Sequence, residues 1–99
     1  MLYAIIGHEA LDGLERRRHA RPAHLARIRA LQDEGRLVLA GPMPAIDSPE
    51  PGAAGHAGSL VIAEFDSLDA AREFANGDPY VVEGVFRAVD VRPFVQVAP

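Results

Sequence analysis

Cysteine is missing from this chain, aromatic residues make up only 6%, and all ten basic residues are arginine. Without cysteine there is no disulfide frame, no thiolate metal site and no cysteine nucleophile, which fits a reducing cytoplasm. No apolar run approaches the roughly 18 residues that a membrane span needs. Met1 to His8 has no basic leader and is too short for a signal-peptide core, so a cytoplasmic protein is expected. There is no GxGxxG fingerprint, no Walker A sequence and no GxSxG elbow, so nucleotide binding and serine-hydrolase chemistry have no support.

At 99 residues, residues 1–99 are expected to form a single domain. A chain of this size buries only about 60–65% of its unfolded surface, so a second subunit would help it. The apolar fraction of 48% and the charged fraction of 24% are those of an ordinary globular protein. The net charge of −4 is unevenly spread. The first 36 positions hold seven arginines against five acids, a balance of +2, and the rest carry −6. Nucleic-acid binders pair a basic face with stacking aromatics, which are scarce here. The arginines read instead as a solvated helix face with internal ion pairs, and no nucleic-acid partner is expected.

Residues 2–8 read as a strand with apolar residues on both faces. A short turn over Glu15–Arg18 is expected to stop at Pro22, where the main helix begins. That helix buries Leu25, Ile28 and Leu31 and ends at Gly35. Arg36–Ala40 forms a second strand, ended by Gly41-Pro42, and 44–58 a long irregular loop of the kind that often carries function. Ser59–Phe65 is a third strand. Ser67 caps a second helix that closes at Asn76-Gly77, and Pro79 forces Asp78 out of it. Val85–Val95 is the last strand.

The predicted order is βαββαβ: an α+β, ferredoxin-like fold with a four-stranded antiparallel sheet and two helices on one face. The strands carry apolar residues at both parities, whereas a sheet wet on one side should alternate. An exposed aliphatic face of several hundred Å² is unusual for a monomer. A homodimer packed through the open sheet face, a dimeric α+β barrel, removes it.

Several stretches together resemble the YCII-related family of YciI-like proteins. They are Met1-Leu2-Tyr3, Arg21-Pro22-Ala23-His24-Leu25-Ala26-Arg27, Asp33-Glu34-Gly35-Arg36-Leu37 and Ala40-Gly41-Pro42-Met43-Pro44-Ala45, followed by Gly52-Ala53-Ala54-Gly55, Gly58-Ser59, Ala63-Glu64-Phe65, Asp78-Pro79-Tyr80, Gly84-Val85 and Pro93-Phe94. The resemblance runs nearly end to end and rests on the set and its spacing. It implies a dimeric α+β barrel with a histidine–aspartate pocket. It also implies activities that are mostly unknown, with a few dehydrochlorinase-type enzymes among the relatives.

His24 shares a helix face with Ile28 and Leu31 and should point toward the sheet. In a first helical turn it would sit in a mildly positive field that favours the neutral base. The bland alternative is a core histidine bonded to a backbone carbonyl. Asp33 lies about 180° around the helix and about 13 Å along it, so it cannot be the partner. Asp78, at the end of the second helix, can fix the tautomer of His24, or it simply shapes an Asp-Pro turn. Arg21 could hold an anionic group or make a surface ion pair. Ser59 could line the pocket or only edge a strand, and Tyr80 is counted with them as substrate-binding. His8, His19 and His56 are scattered without ligand spacing, so no metal is expected.

The leading expectation is a cofactor-free small-molecule enzyme in which His24 and Asp78 perform general acid–base chemistry: elimination, isomerisation or addition. The alternative is a non-catalytic ligand-binding or regulatory module that docks a metabolite or a partner protein.

Overall fold

The computed structural model describes residues 1–99. Its elements are β1 (Leu2–Glu9), α1 (Gly13–Asp33), β2 (Leu37–Pro44), β3 (His56–Glu64), α2 (Leu68–Asn76), α3 (Pro79–Val82) and β4 (Phe86–Phe94), with a 3-10 turn at Gly52–Ala54. The strands form one sheet in the order β2-β3-β1-β4, all neighbours antiparallel. This is the ferredoxin-like arrangement, with one additional helical turn, α3, before the last strand.

The helices cover one face of the sheet. Tyr3 and Ile5 of β1 and Val61 and Ala63 of β3 pack against Ile28 and Leu31 of α1 and Ala71 and Ala75 of α2. The two alanines carry nothing beyond Cβ, which lets α2 lie close to the strands. A smaller cluster of Ala20, Tyr80 and Val85 joins α1 to α3. By register, Ala4, Ile6, Leu39, Leu60 and Ile62 lie on the opposite face of three adjacent strands.

The main helix departs from expectation. It starts at Gly13, and Pro22 sits inside it. A proline in a helix interior removes one N–H and crowds the carbonyl four residues back, here that of Arg18. Pro22 is exposed, so water can satisfy that carbonyl, while buried Ala20, His24, Ile28 and Leu31 anchor the helix on both sides of it. Buried contacts outweigh a local propensity penalty.

The second strand also runs further than expected, through Gly41-Pro42 to Pro44. As an edge strand, β2 tolerates a residue that cannot donate to the ladder. The third strand begins earlier, at His56. The loop therefore shrinks to 45–55 and is tied at its neck by Ala45 N–H donating to the Gly55 carbonyl at 3.0 Å. Gly55 has φ +69°, a conformation costly for other residues, and so turns the chain into β3.

At the end of α2, Gly77 caps the helix, and Asp78 adopts φ −65° and ψ 134°, the extended geometry favoured before proline. Pro79 then opens α3 at the position where its missing N–H costs nothing.

Candidate active site

His24 lies midway along α1, not in a first turn, so the expected field of a helix N-terminus does not act on it. It is 8% exposed, on the same buried face as Ile28 and Leu31. Asp78 is 6% exposed and sits beneath it. The His24 Nδ1–H donates to the Asp78 carboxylate, with 2.9 Å to each oxygen. The same carboxylate accepts the Tyr80 backbone N–H at 2.8 Å, capping α3. One side chain thus performs both roles weighed from the sequence, shaping the Asp-Pro turn and holding the imidazole. The Arg27 guanidinium lies 3.9 Å from Asp78 and donates to the Phe74 carbonyl at 2.9 Å, tying α1 to the end of α2.

Tyr80 stacks on His24, with ring centroids 3.9 Å apart and planes 9° from parallel. The imidazole is therefore fixed on its face by Tyr80 and at one edge by Asp78. Burial pushes the Tyr80 phenol above its ordinary value, opposed by the nearby charge of Arg17, so it stays protonated at neutral pH.

His24 lines a cavity of about 480 Å³ between α1 and the β2–β3 edge. Arg21, Ser59 and Tyr80 line it as well, so the structure brings all three to the wall that carries His24. Asp78 does not line it; the carboxylate lies behind the ring, where a ligand would not displace it. Nothing in the chain bonds to His24 Nε2. With its proton on Nδ1, the imidazole offers a lone pair on Nε2 to the cavity.

The cavity wall carries Arg17, Arg18 and Arg21 and no carboxylate. Arg18 pairs with Glu15 on the surface. Arg21 has no carboxylate partner and remains available for an anionic group. No three His, Asp or Glu side chains converge anywhere as a metal site would require.

Arg17 departs from the expected solvated face. It is buried and makes a bidentate pair with Glu9, at 2.9 and 2.7 Å, and its Nη2 donates to Ser59 Oγ at 2.9 Å and to the Gly58 carbonyl at 3.3 Å. Its guanidinium also lies 4.7 Å from the centre of the Tyr80 ring. Ser59 is thus a buried acceptor for Arg17, more than a strand-edge hydroxyl. Gly58 beside it must be glycine, since a Cβ there would lie 1.8 Å from the Gly7 carbonyl oxygen.

Glu9, Arg17 and His56 are site residues that the sequence reading missed. The signal for Arg17 was present. Positions 17, 20, 24, 28 and 31 repeat at helical spacing, but a helix begun at Pro22 leaves the first two out. Likewise Glu9 continues the inward parity of Tyr3, Ile5 and Gly7 along β1.

The YCII-related domain pattern matches residues 1–95. The chain belongs to this family. It is 59% identical to protein YciI of Escherichia coli over 97 residues, 98% of this chain and 99% of that one. An uncharacterized protein of Haemophilus influenzae is 48% identical over the same coverage, 98% and 99%. Among solved structures, the 5-chloro-2-hydroxyhydroquinone dehydrochlorinase TftG of Burkholderia phenoliruptrix AC1100, in complex with 2,5-dihydroxybenzoquinone, superimposes with a TM-score of 0.83. That match covers 97% of this chain and 95% of TftG at 26% identity. No helix of the chain is long and apolar enough to cross a membrane.

Proposed function

We propose that this YciI-like protein is a cofactor-free enzyme acting on a small anionic hydroxyquinone or enolisable acid, with His24 as general base and Asp78 as the group that orients it. The observation that carries the reading is the two-ended imidazole: Nδ1 is committed to a buried carboxylate, and the ring lines a cavity with unpaired Arg21. The likeness to a dehydrochlorinase with a quinone in its complex supports the substrate class. Arg21 anchors the anion. His24 Nε2 takes a proton from a ring hydroxyl or from a carbon next to a carbonyl. In a quinone or enolisable acid the released pair moves into the adjacent bond and the carbonyl π pair onto oxygen. In a chlorinated hydroquinone the O–H pair becomes a ring carbonyl while the displaced ring electrons take a proton at the chlorine-bearing carbon. Loss of a second hydroxyl proton then expels chloride. Asp78 stabilises the imidazolium formed, and Arg17 and Ser59 hold the cavity floor. We also infer that the protein works in the cytoplasm as a homodimer joined through the open sheet face.

The test is chloride release from 5-chloro-2-hydroxyhydroquinone. His24→Asn should lower kcat/KM by about 10²–10⁴-fold, the usual contribution of a positioned acid–base group. Asp78→Asn should lose activity too while remaining folded, because asparagine still caps α3. Turnover by His24→Asn equal to the unsubstituted protein would remove the mechanism. Binding of 2,5-dihydroxybenzoquinone without any product would instead support a ligand-sensing module.

A further inference from the structure

The cavity holds a second imidazole that the mechanism above does not use. His56 is the first residue of β3, paired across the ladder with Pro44. It follows the left-handed Gly55, whose carbonyl is held by Ala45. The backbone is therefore fixed where it delivers His56 to the same cavity that His24 lines.

The two ring nitrogens of His56 are not equivalent. Nδ1 is sealed from solvent and has no hydrogen-bond partner, the one side-chain nitrogen or oxygen in the chain of which this is true. Sealing an N–H without an acceptor forfeits a full hydrogen bond, and sealing a charge costs more. The economical state is neutral, with Nδ1 bare and the proton on Nε2. The surrounding charges agree: burial and then the Arg17 guanidinium hold His56 below its ordinary value, against a smaller opposing pull from Glu9. Glu9 is committed to Arg17 by two hydrogen bonds, and Arg18 and Arg21 add positive charge on the same cavity wall. No group of the chain bonds to His56 Nε2, which is not sealed as Nδ1 is.

We propose that His56 is the hydrogen-bond donor of this pocket, presenting Nε2–H to the substrate oxygen on which negative charge collects while His24 Nε2 takes the proton. The two histidines then have opposite tautomers and opposite roles, one a lone pair and the other a donor. A neutral imidazole donor suits an enolate oxygen, because it stabilises the developing charge without surrendering its own proton. In the step, the C–H or O–H bond breaks toward His24, and its electron pair moves into the ring or double bond. The carbonyl π pair then moves onto oxygen, which accepts the His56 hydrogen bond. No proton leaves His56, and no oxidant or reductant is consumed. The substrate class narrows to molecules with an anionic group for Arg21 and, in the substrate or in the keto form reached from it, a carbonyl oxygen in reach of His56. The inference rests on the base role of His24, but its test separates the two.

Long-range ¹H–¹⁵N spectra of the intact protein near neutral pH read each tautomer without any ligand. His56 should show a protonated Nε2 and a bare Nδ1, and His24 the reverse. A His56 protonated on Nδ1, or on both nitrogens, overturns the proposal even if His24 behaves as described. The second measurement is an absorbance titration with 2,5-dihydroxybenzoquinone. His56→Phe should weaken binding by about tenfold or more, the size of one hydrogen bond to a charged oxygen, and His56→Gln should restore most of it. Equal binding by His56→Phe overturns the proposal. Failure of the unsubstituted protein to bind the quinone counts against the hydroxyquinone reading, and the tautomers then decide His56.

Discussion

At the residue scale the candidate site is built on three side chains in contact, His24, Asp78 and Tyr80, with Arg17 packed against them. His24 is pinned between the Asp78 carboxylate and the Tyr80 ring, and Tyr80 in turn lies under the Arg17 guanidinium. Arg17 is buried, and Glu9 is the one carboxylate that meets its charge, with two hydrogen bonds beside those to Ser59 and Gly58. Removing one partner of a buried pair leaves the other charge uncompensated, which costs about 3–5 kcal/mol. Glu9→Gln keeps the shape and deletes the charge. Chemical denaturation should report a loss of about 3 kcal/mol, and an unchanged midpoint would show that Arg17 needs no counterion there. Glycine at position 13 belongs to the same arrangement, because a Cβ would approach Glu9 Cγ and the Val85 carbonyl to 3.0 Å.

Among the elements, α1 carries the most of the site, since Arg17, Arg21 and His24 all lie on it. Pro22, placed between Arg21 and His24, lacks the N–H that would bond to the Arg18 carbonyl. In an exposed interior position that missing bond opposes stability, offset in part because proline also restricts the unfolded chain. Pro22→Ala should therefore raise stability by about 1 kcal/mol, or about 4–8 °C in Tm for a domain of this size. Calorimetry that shows no rise, or a fall, would mean that the proline itself sets the local geometry of the helix. The α2–α3 junction works by a different device. Ser67 Oγ accepts the Ala70 N–H at 3.0 Å to start α2, and Asp78 starts α3 in the same way while also reaching back to His24. The placement of the Asp78 carboxylate against His24 is thus a by-product of helix capping, and a change in the length of that turn would move it.

For the whole molecule the surface that stands out is the sheet face turned away from the helices. Ala4, Ile6, Leu39, Leu60 and Ile62 share it; Ala4 and Ile62 are buried within the chain, while Leu39 is 45% exposed. Covering such a face with a second copy follows from the tendency of large exposed apolar patches to be interfaces. Sedimentation should give twice the 10.6 kDa chain mass, and Leu39→Glu should lower it toward the single-chain value while the helical face keeps the fold. A single-chain mass for the unsubstituted protein would exclude the pairing.

The order of strands and helices was written in the sequence, because period-2 and period-3.6 apolar patterns and turn residues are local signals. His24, Ile28 and Leu31 on one face, the stop at Gly35 and the exit at Asp78-Pro79 needed nothing more. The boundaries that failed, at Gly13, Pro44 and His56, depend on partners distant in the chain. Pro22 is carried by buried neighbours on both sides of it, and Pro42 is allowed because β2 is an edge. Contacts across many residues could be settled only by folding: His24 with Asp78, Glu9 and Arg17 with Ser59, and His56 facing the cavity of His24. Burial and pairing give these ionisable groups their roles, and both are properties of what surrounds a side chain in space.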